Sequence, residues 1–590
     1  MTLIHTAWEF FRHKKLPALL IVFFQLAQVV LSLWLPSLNA RIIDDGIIPG
    51  DIPLIWRTGG LMLAISVLQI LCMIGAMYLG SRTAMEFGRD LRRSVFRTVQ
   101  RFSQVDQAKL GAPTLITRTT NDVTQIQQVV MLTFTVMITA PIMGIGGVIM
   151  AIRQDARLSL LLLAVVPALG LIIFFVMRGL TPRYKISQIR IDAINTQLRE
   201  HLTGVRVIRA FGQQPRERKK FDTANKALRD IWLEIGWFWS ILMPAASLVI
   251  GISLAAVVWF GGQRIAAGGM QVGSMTAYIN YLMMILGAVM MSGMMTMMLP
   301  RGEVAAQRIK EVREQTPSIT APLSAQPLPS EPLTFELVDA CLQYPGAEQP
   351  VLSHISLRIT PGSTTAVIGS TASGKSSLIK LLPRLIDATS GAVYAGGINV
   401  KDADPAQLRE RIAFVPQTAF LFSGTIASNV AGEIRRDAEV DRDRVVTALK
   451  VAEAFEFVEK LDRGIDAEVE SGGKNFSGGQ RQRLTIARAI YKCLPDATGK
   501  RGADLTIFDD SFSALDFATD ARVRRNLATY LHGISVLIVA QRVSTIRNAD
   551  EILVLDDGAI VGRGTHQELM RTCPTYEEIV SSQLTKEEAA

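Results

Sequence analysis

Cysteine is scarce in this sequence. Its four cysteines, Cys72, Cys341, Cys493 and Cys573, are widely scattered, with no CxxC pair and no metal-ligand spacing. That excludes a disulfide-framed fold and predicts free thiols in a reducing compartment. Charge is sparse too: 19% of the 590 residues are charged and 49% are hydrophobic. Almost all of the apolar weight lies before residue 300, so the first half reads as membrane and the second as a soluble domain. The net charge of +9 does not point to nucleic acid. Lys and Arg gather in loops flanking apolar runs, as in the cytoplasmic loops of membrane proteins. Only six histidines are present, a shortage that matters below.

Apolar runs near 16–39, 58–80, 129–151, 158–178, 237–261 and 273–299 are each long enough to cross a ~30 Å hydrocarbon core as a helix. The first is too long for a cleaved signal peptide and others follow it, which argues against secretion. The loop 81–128 carries Arg82, Arg89, Arg92, Arg93, Arg97, Arg101, Lys109 and Arg118, and the loop 179–236 includes Arg216, Arg218, Lys219 and Lys220. The links at 40–57, 152–157 and 262–272 hold few basic residues, and the first contains Asp44 and Asp45. Both termini and both long loops are therefore expected in the cytoplasm. The long loops have little Pro or Gly and predict helical extensions reaching roughly 30 Å beyond the bilayer. They read equally as a solvated hairpin or as a lever onto a soluble domain. The last span carries Met275, Met283, Met284, Met290, Met291, Met294, Met295, Met297 and Met298. Methionine re-packs around dissimilar apolar ligands, so part of this set could line a substrate cavity while the rest faces lipid or other helices.

Three parts follow: a membrane domain over 1–315, a Pro- and Ser-rich linker over 316–333 and a soluble domain over 334–590. In the last, "GSTASGKS" (Gly369–Ser376) follows the strand-like "TTAVI" and opens a helix-like run. This strand–loop–helix context is that of a phosphate loop. Gly369, Ser370, Thr371, Ala372, Ser373 and Gly374 supply backbone N–H groups, Lys375 reaches β/γ oxygens, and Ser376, followed by Ser377, can ligate Mg²⁺. Asp509 ends the strand "LTIFD" as the natural partner of that ion. Ser477, Gly478, Gly479 and Gln480 in "FSGGQRQRLTIARA" precede a helix whose N-terminus is either an anion site or an ordinary Ser-Gly cap.

Taken in order, "GSTASGKS", "FVPQ", "FSGGQRQR", "FDDSFSALD" and "VLIVAQRVSTIRNADEILVLDDG" resemble the motifs of ATP-binding cassette (ABC) transporters, in the exporter-type half-transporter form. The resemblance covers nearly the whole chain. It implies a six-span, domain-swapped α-helical membrane domain fused to an α/β P-loop nucleotide-binding domain, with ATP and Mg²⁺ bound between two head-to-tail cassettes. It implies that Tyr344 stacks on adenine, that Gln417 links Mg²⁺ and the attacking water to the membrane domain, and that Ser513–Asp516 communicates across the dimer. "GAPTLITRTTNDVTQI" and "LTGVRVIRAFGQQPRERKKF" resemble the family's two intracellular loops, which favours the lever. The turn Ser477–Gln480 would serve the ATP held by the partner's phosphate loop.

Two main departures from the family pattern stand out, beside two smaller ones. Asp510 stands where a water-polarising Glu is usual, and Gln541 where a His contacts the γ-phosphate. Losing one methylene withdraws a carboxylate by roughly 1.5 Å, and about 1 Å of misplacement can cost on the order of a hundredfold in rate. Gln541 can donate a hydrogen bond but carries neither proton nor positive charge. Phe476 replaces the usual Leu, and Ser471 stands where a Glu is common, with Glu470 one residue away. The expectation is one subunit of a heterodimeric exporter of drugs or lipids, multi-pass in the cytoplasmic membrane, whose partner carries the Glu and the His. An importer of metal chelates on the same fold, and an ATP-gated channel or its regulatory subunit, are the alternatives.

Overall fold

A computed structural model describes residues 2–12, 14–295, 298–432, 440–495, 499 and 502–583. The chain divides into two compact units: Met1–Gln100 with Leu110–Thr316, and Arg101–Lys109 with Pro317–Ala590.

Six segments of the first unit are long and apolar enough to cross a membrane: Lys15–Ile47, Ile52–Gln100, Ala112–Gln154, Leu158–Ala210, Gln214–Ala266 and Val272–Gly293. Four run well past the apolar stretches because the polar sequence beyond them contains few breakers and continues the helix. Pro36, Pro167, Pro182 and Pro244 lie inside helices, as membrane helices tolerate. The sixth helix is described over Val272–Met295, and a separate helix, Leu299–Glu314, begins with Pro in its first turn. Met275, Met284 and Met290 pack on the helical core, whereas Met283, Met291 and Met298 are exposed and Met295 is buried. Met297 and the Met294 side chain lie outside the described residues.

Polar groups lock this bundle at a few points. The Tyr281 hydroxyl donates to the Leu33 carbonyl at 2.8 Å and Tyr278 to that of Leu158 at 3.1 Å, and both tyrosines are fully buried. The Asp44 carboxylate accepts from the Gly273 and Ser274 N–H groups at 2.6 and 3.1 Å, filling orphan donors at a helix start. Arg264 pairs with buried Asp155 at 2.6 Å. The helices Leu158–Ala210 and Gln214–Ala266 leave Phe174, Phe175, Trp237, Leu248 and Trp259 exposed, apolar surface that lipid or another helix would cover.

In the second unit a six-stranded sheet runs Ala559–Gly564, Glu551–Asp556, Thr364–Gly369, Ser535–Val539, Leu505–Asp509 and Ile412–Val415, parallel except for its first edge strand. Its central strands are buried along almost their whole length, the pattern of a parallel sheet covered on both faces. An antiparallel sheet of Leu352–Ile359, Phe335–Leu342, Ser390–Ala395 and Ile398–Asn399 lies in the same unit. All four cysteines are free thiols, Cys341 half-buried and the others buried.

Residues 101–109 fold with this second unit. Asp106 is 1% exposed, and one of its oxygens accepts from the N–H and hydroxyl of Ser103 (both 3.0 Å) and of Ser318 (both 2.9 Å). Burial alone would raise this carboxyl, but those four donors outweigh it and hold its pKa below the usual value.

Candidate active site

The parallel register decides which residues meet. Val539 lies opposite both Asp509 and Val367, and Phe508 opposite Val415. The residues just past these strands, Gly369–Ser376, Asp510, Gln541 and Gln417, therefore emerge at one carboxyl edge, where open α/β sheets bind ligands.

The glycine-rich loop is shaped by its glycines. A Cβ at Gly369 would lie 2.0 Å from the Leu555 carbonyl, and Gly374 sits at φ +98° with a Cβ position 2.8 Å from the Val351 carbonyl. Only glycine fits at either point. Ala372 also has positive φ, at +70°. Ser370 reaches Asp556 at 3.5 Å, and Thr371 completes the turn before the helix Lys375–Leu381. The Lys375 ammonium donates to the carbonyls of Gly369 (2.9 Å) and Ser370 (2.6 Å) and to the Ser373 hydroxyl (3.4 Å). Burial lowers its pKa, against the pull of Asp510 and Asp509. An ammonium ringed by neutral oxygens on a loop pinned at two points by glycine fits an anionic phosphate chain.

Ser376 Oγ donates to Asp509 Oδ1 at 3.0 Å. Asp509 is 5% exposed; burial raises its pKa, the Ser376 bond opposing. A hydroxyl beside a buried carboxylate with no cationic hydrogen-bond donor among the described residues fits Mg²⁺, whose ligands are hard oxygens. Asp510 adopts φ +47° and its N–H is fixed to the Val539 carbonyl at 2.9 Å. Its Oδ2 accepts from two amides, Gln541 Nε2 at 2.9 Å and Gln417 Nε2 at 3.3 Å. Burial raises this carboxyl as well, with the Gln417 and Ser513 bonds opposing. Tyr344 is half-buried, its hydroxyl 3.2 Å from Ser377 Oγ, and it borders a cavity of about 540 Å³ shared with Val105, Lys109 and Lys380.

Ser477 caps the helix Gly478–Cys493 in a reciprocal pair: its N–H donates to Gln480 Oε1 at 2.9 Å and its hydroxyl accepts from the Gln480 N–H at 3.3 Å. No described hydrogen bond joins this turn to the Lys375–Asp509–Asp510–Gln541 cluster. Asp516 caps Phe517–Tyr530 through the Thr519 N–H at 2.9 Å, and that bond lowers its pKa.

Comparison with known proteins places the chain in a family. Residues 18–289 match the family described as the ABC transporter transmembrane region, and residues 352–494 match the ABC transporter family. The chain belongs to the ABC transporters. An uncharacterized ABC transporter ATP-binding protein of Mycobacterium tuberculosis is 45% identical over 97% of this chain and 96% of its own. An ATP-dependent lipid A-core flippase of Albidiferax ferrireducens is 29% identical over 92% of this chain and 91% of its own. A multidrug efflux ATP-binding/permease protein of M. tuberculosis is 32% identical over 94% of this chain, which spans 45% of that protein. The solved structure of a bacterial Atm1-family ABC exporter with ATP bound has the same fold, with TM-score 0.79 and 21% identity over 97% of this chain and 99% of that one. The protein is thus a multi-pass membrane ABC transporter with one transmembrane domain and one ATP-binding domain on an exporter-type fold.

One residue that touches this cluster left no trace in the motifs. Gln583, at the end of the last described helix, bonds to the backbone on both sides of Arg542. No sequence spacing links it to Gln541, because the contact is tertiary.

Proposed function

We propose that this ABC transporter is one subunit of a heterodimeric, ATP-driven exporter of hydrophobic or amphipathic compounds, with its own nucleotide site slow and its partner's Glu and His doing most of the turnover. The observation that carries the slow site is the Asp510 carboxylate, short, backbone-fixed and occupied on one oxygen by two neutral amides.

In this reading Tyr344 stacks on adenine and Gly369–Ser377 cradle the phosphates, with Lys375 at the β/γ oxygens. Ser376, Asp509 and Gln417 are the candidate Mg²⁺ residues. When bound there, the ion would supply charge neutralisation at the phosphates. Ser477–Gln480 act on the ATP held by the partner's phosphate loop, and Ser513–Asp516 relay between the two sites. Asp510 can orient a water and, with its raised pKa, accept a proton, but its reach falls short. Gln541 donates one hydrogen bond toward the γ-phosphate and cannot neutralise its charge.

The basic loops support cytoplasmic termini and a cytoplasmic nucleotide-binding unit. The relatives named for multidrug efflux and for lipid A-core flipping support a drug or lipid substrate. Co-purification of the native partner followed by transport in vesicles tests the whole reading. Expected is ATP-dependent accumulation of an amphipathic dye in inside-out vesicles that stops when hydrolysis stops. Flux down a gradient while ATP is merely bound would make it a channel.

A further inference from the structure

The C-terminal helix Pro574–Gln583 ends on the loop that carries Gln541. Gln583 Nε2 donates to the Gln541 carbonyl at 2.7 Å, and Gln583 Oε1 accepts from the Val543 N–H at 3.0 Å. One side-chain amide thus pairs with the backbone across Arg542 as a neighbouring strand would. The Val543 donor opens the short helix Val543–Ile546 and is one of the orphans of a helix start. Arg542 itself lies over the Phe517 ring, 4.9 Å from its centroid.

The clamp is anchored. Tyr576, Val580 and Gln583 are spaced i, i+4, i+7 and share one helix face. Tyr576 and Val580 are fully buried, and the Tyr576 hydroxyl lies 2.8 Å from Nδ1 of buried His566. Two core anchors therefore fix where the Gln583 amide stands. From there a continuous chain of contacts runs through the 541–543 backbone to Gln541 Nε2 and the Asp510 carboxylate at 2.9 Å.

We propose that Gln583 is a positioning residue that holds Gln541 at the Asp510 carboxylate and thereby sets how strongly this chain's site prefers a nucleoside triphosphate over the diphosphate. The inference rests on the reading of Gln541 as the γ-phosphate contact. Losing the clamp leaves the Gln541 carbonyl and the Val543 N–H without their partner and lets the loop, and with it the Gln541 amide, drift from the terminal phosphate. The diphosphate presents no γ-phosphate, so its affinity stays unchanged.

The test measures photolabelling of the Tyr344-containing peptide of the assembled transporter by photoreactive ATP and ADP. Gln583→Ala should reduce the ATP-over-ADP preference about tenfold, the scale of one or two lost hydrogen bonds, with ADP affinity intact. Gln583→Glu keeps the acceptor for Val543 and loses the donor to Gln541, so it should fall between. Gln541→Ala should reduce the preference at least as much as Gln583→Ala. Equal weakening of both nucleotides by Gln583→Ala would make Gln583 merely structural and overturn the proposal. Full preference in Gln583→Ala with loss in Gln541→Ala would overturn the clamp and leave the site reading standing. Full preference in both would overturn both.

Discussion

Lengthening Asp510 by one methylene and placing an imidazole at position 541 should restore hydrolysis in this chain's own site. The Asp510 backbone cannot advance: its N–H is held by Val539 at 2.9 Å and its φ is +47°. Reach is therefore set by side-chain length, and Glu adds about 1.5 Å. With about 1 Å of misplacement costing on the order of a hundredfold, Asp510→Glu with Gln541→His should raise turnover at this site at least about a hundredfold, or ~2.7 kcal/mol of barrier. The His adds a group able to carry charge at the γ-phosphate. To see this site alone, the other must be silenced, and on the proposed reading Ser477→Arg would do that by filling the turn that would face the partner's ATP. Ser477→Arg alone should cost at least about a hundredfold, since donors at a transferring phosphoryl group are worth ~3 kcal/mol or more. The assay is steady-state phosphate release by the assembled transporter at matched expression. Asp510→Ala in the otherwise native transporter should cost less than about tenfold. If Asp510→Ala abolishes turnover while Ser477→Arg spares it, the short acid is a working base and the reasoning fails. If the lengthened pair adds nothing over Ser477→Arg, reach is not what limits the site.

Lys375→Ala should lower ATP occupancy of this chain's own site at least about tenfold, read by photoreactive nucleotide labelling; unchanged occupancy would contradict the phosphate-loop reading. Gly369→Ala drives a Cβ to 2.0 Å from the Leu555 carbonyl and should cost about 1–3 kcal/mol of domain stability along with ATP binding, checked by thermal unfolding with and without ATP. Asp106→Ala should lower amide-exchange protection at Ser103 and Ser318 by about tenfold or more, since it removes charge-assisted bonds. Because the folded pKa of Asp106 is depressed, its contribution is fully present above the unfolded value near ~3.9. It is lost only as pH falls through the lower folded value, so protection should be flat from pH 7 to 5.

The spans were legible because twenty apolar residues have one stable home, a helix in lipid, and the helical continuation of the loops was legible from their lack of Pro and Gly. The phosphate loop was legible because its glycines answer a local demand, the close approach at Gly369 and the positive φ at Gly374. Ser376 and Asp509 each read as serving one metal ion, Asp509 from its place at a strand end, and their side chains lie 3.0 Å apart. What the sequence hid are bonds that depend on the sheet register and on distant helices. Gln417 and Gln541 share one oxygen of Asp510 only because three strands end level. The Gln583 clamp and the Asp106–Ser318 bond join residues with no shared local pattern.

That second unit takes its residues from two separate stretches of chain, 101–109 and 317–590. A recombinant fragment cut at 317 would contain the phosphate loop, the Ser477–Gln480 turn and every strand of both sheets, yet it would begin with a defect. The Ser318 N–H and hydroxyl would lose Asp106, and the apolar cluster of Phe335, Leu357 and Ile379 would lose the Val105 side chain that packs on it. Nucleotide affinities and melting temperatures measured on such a fragment would describe a body with one wall missing. Supplying residues 101–109 in trans as a short helical peptide, or grafting them ahead of 317 through a flexible tether, would make that fragment a faithful stand-in.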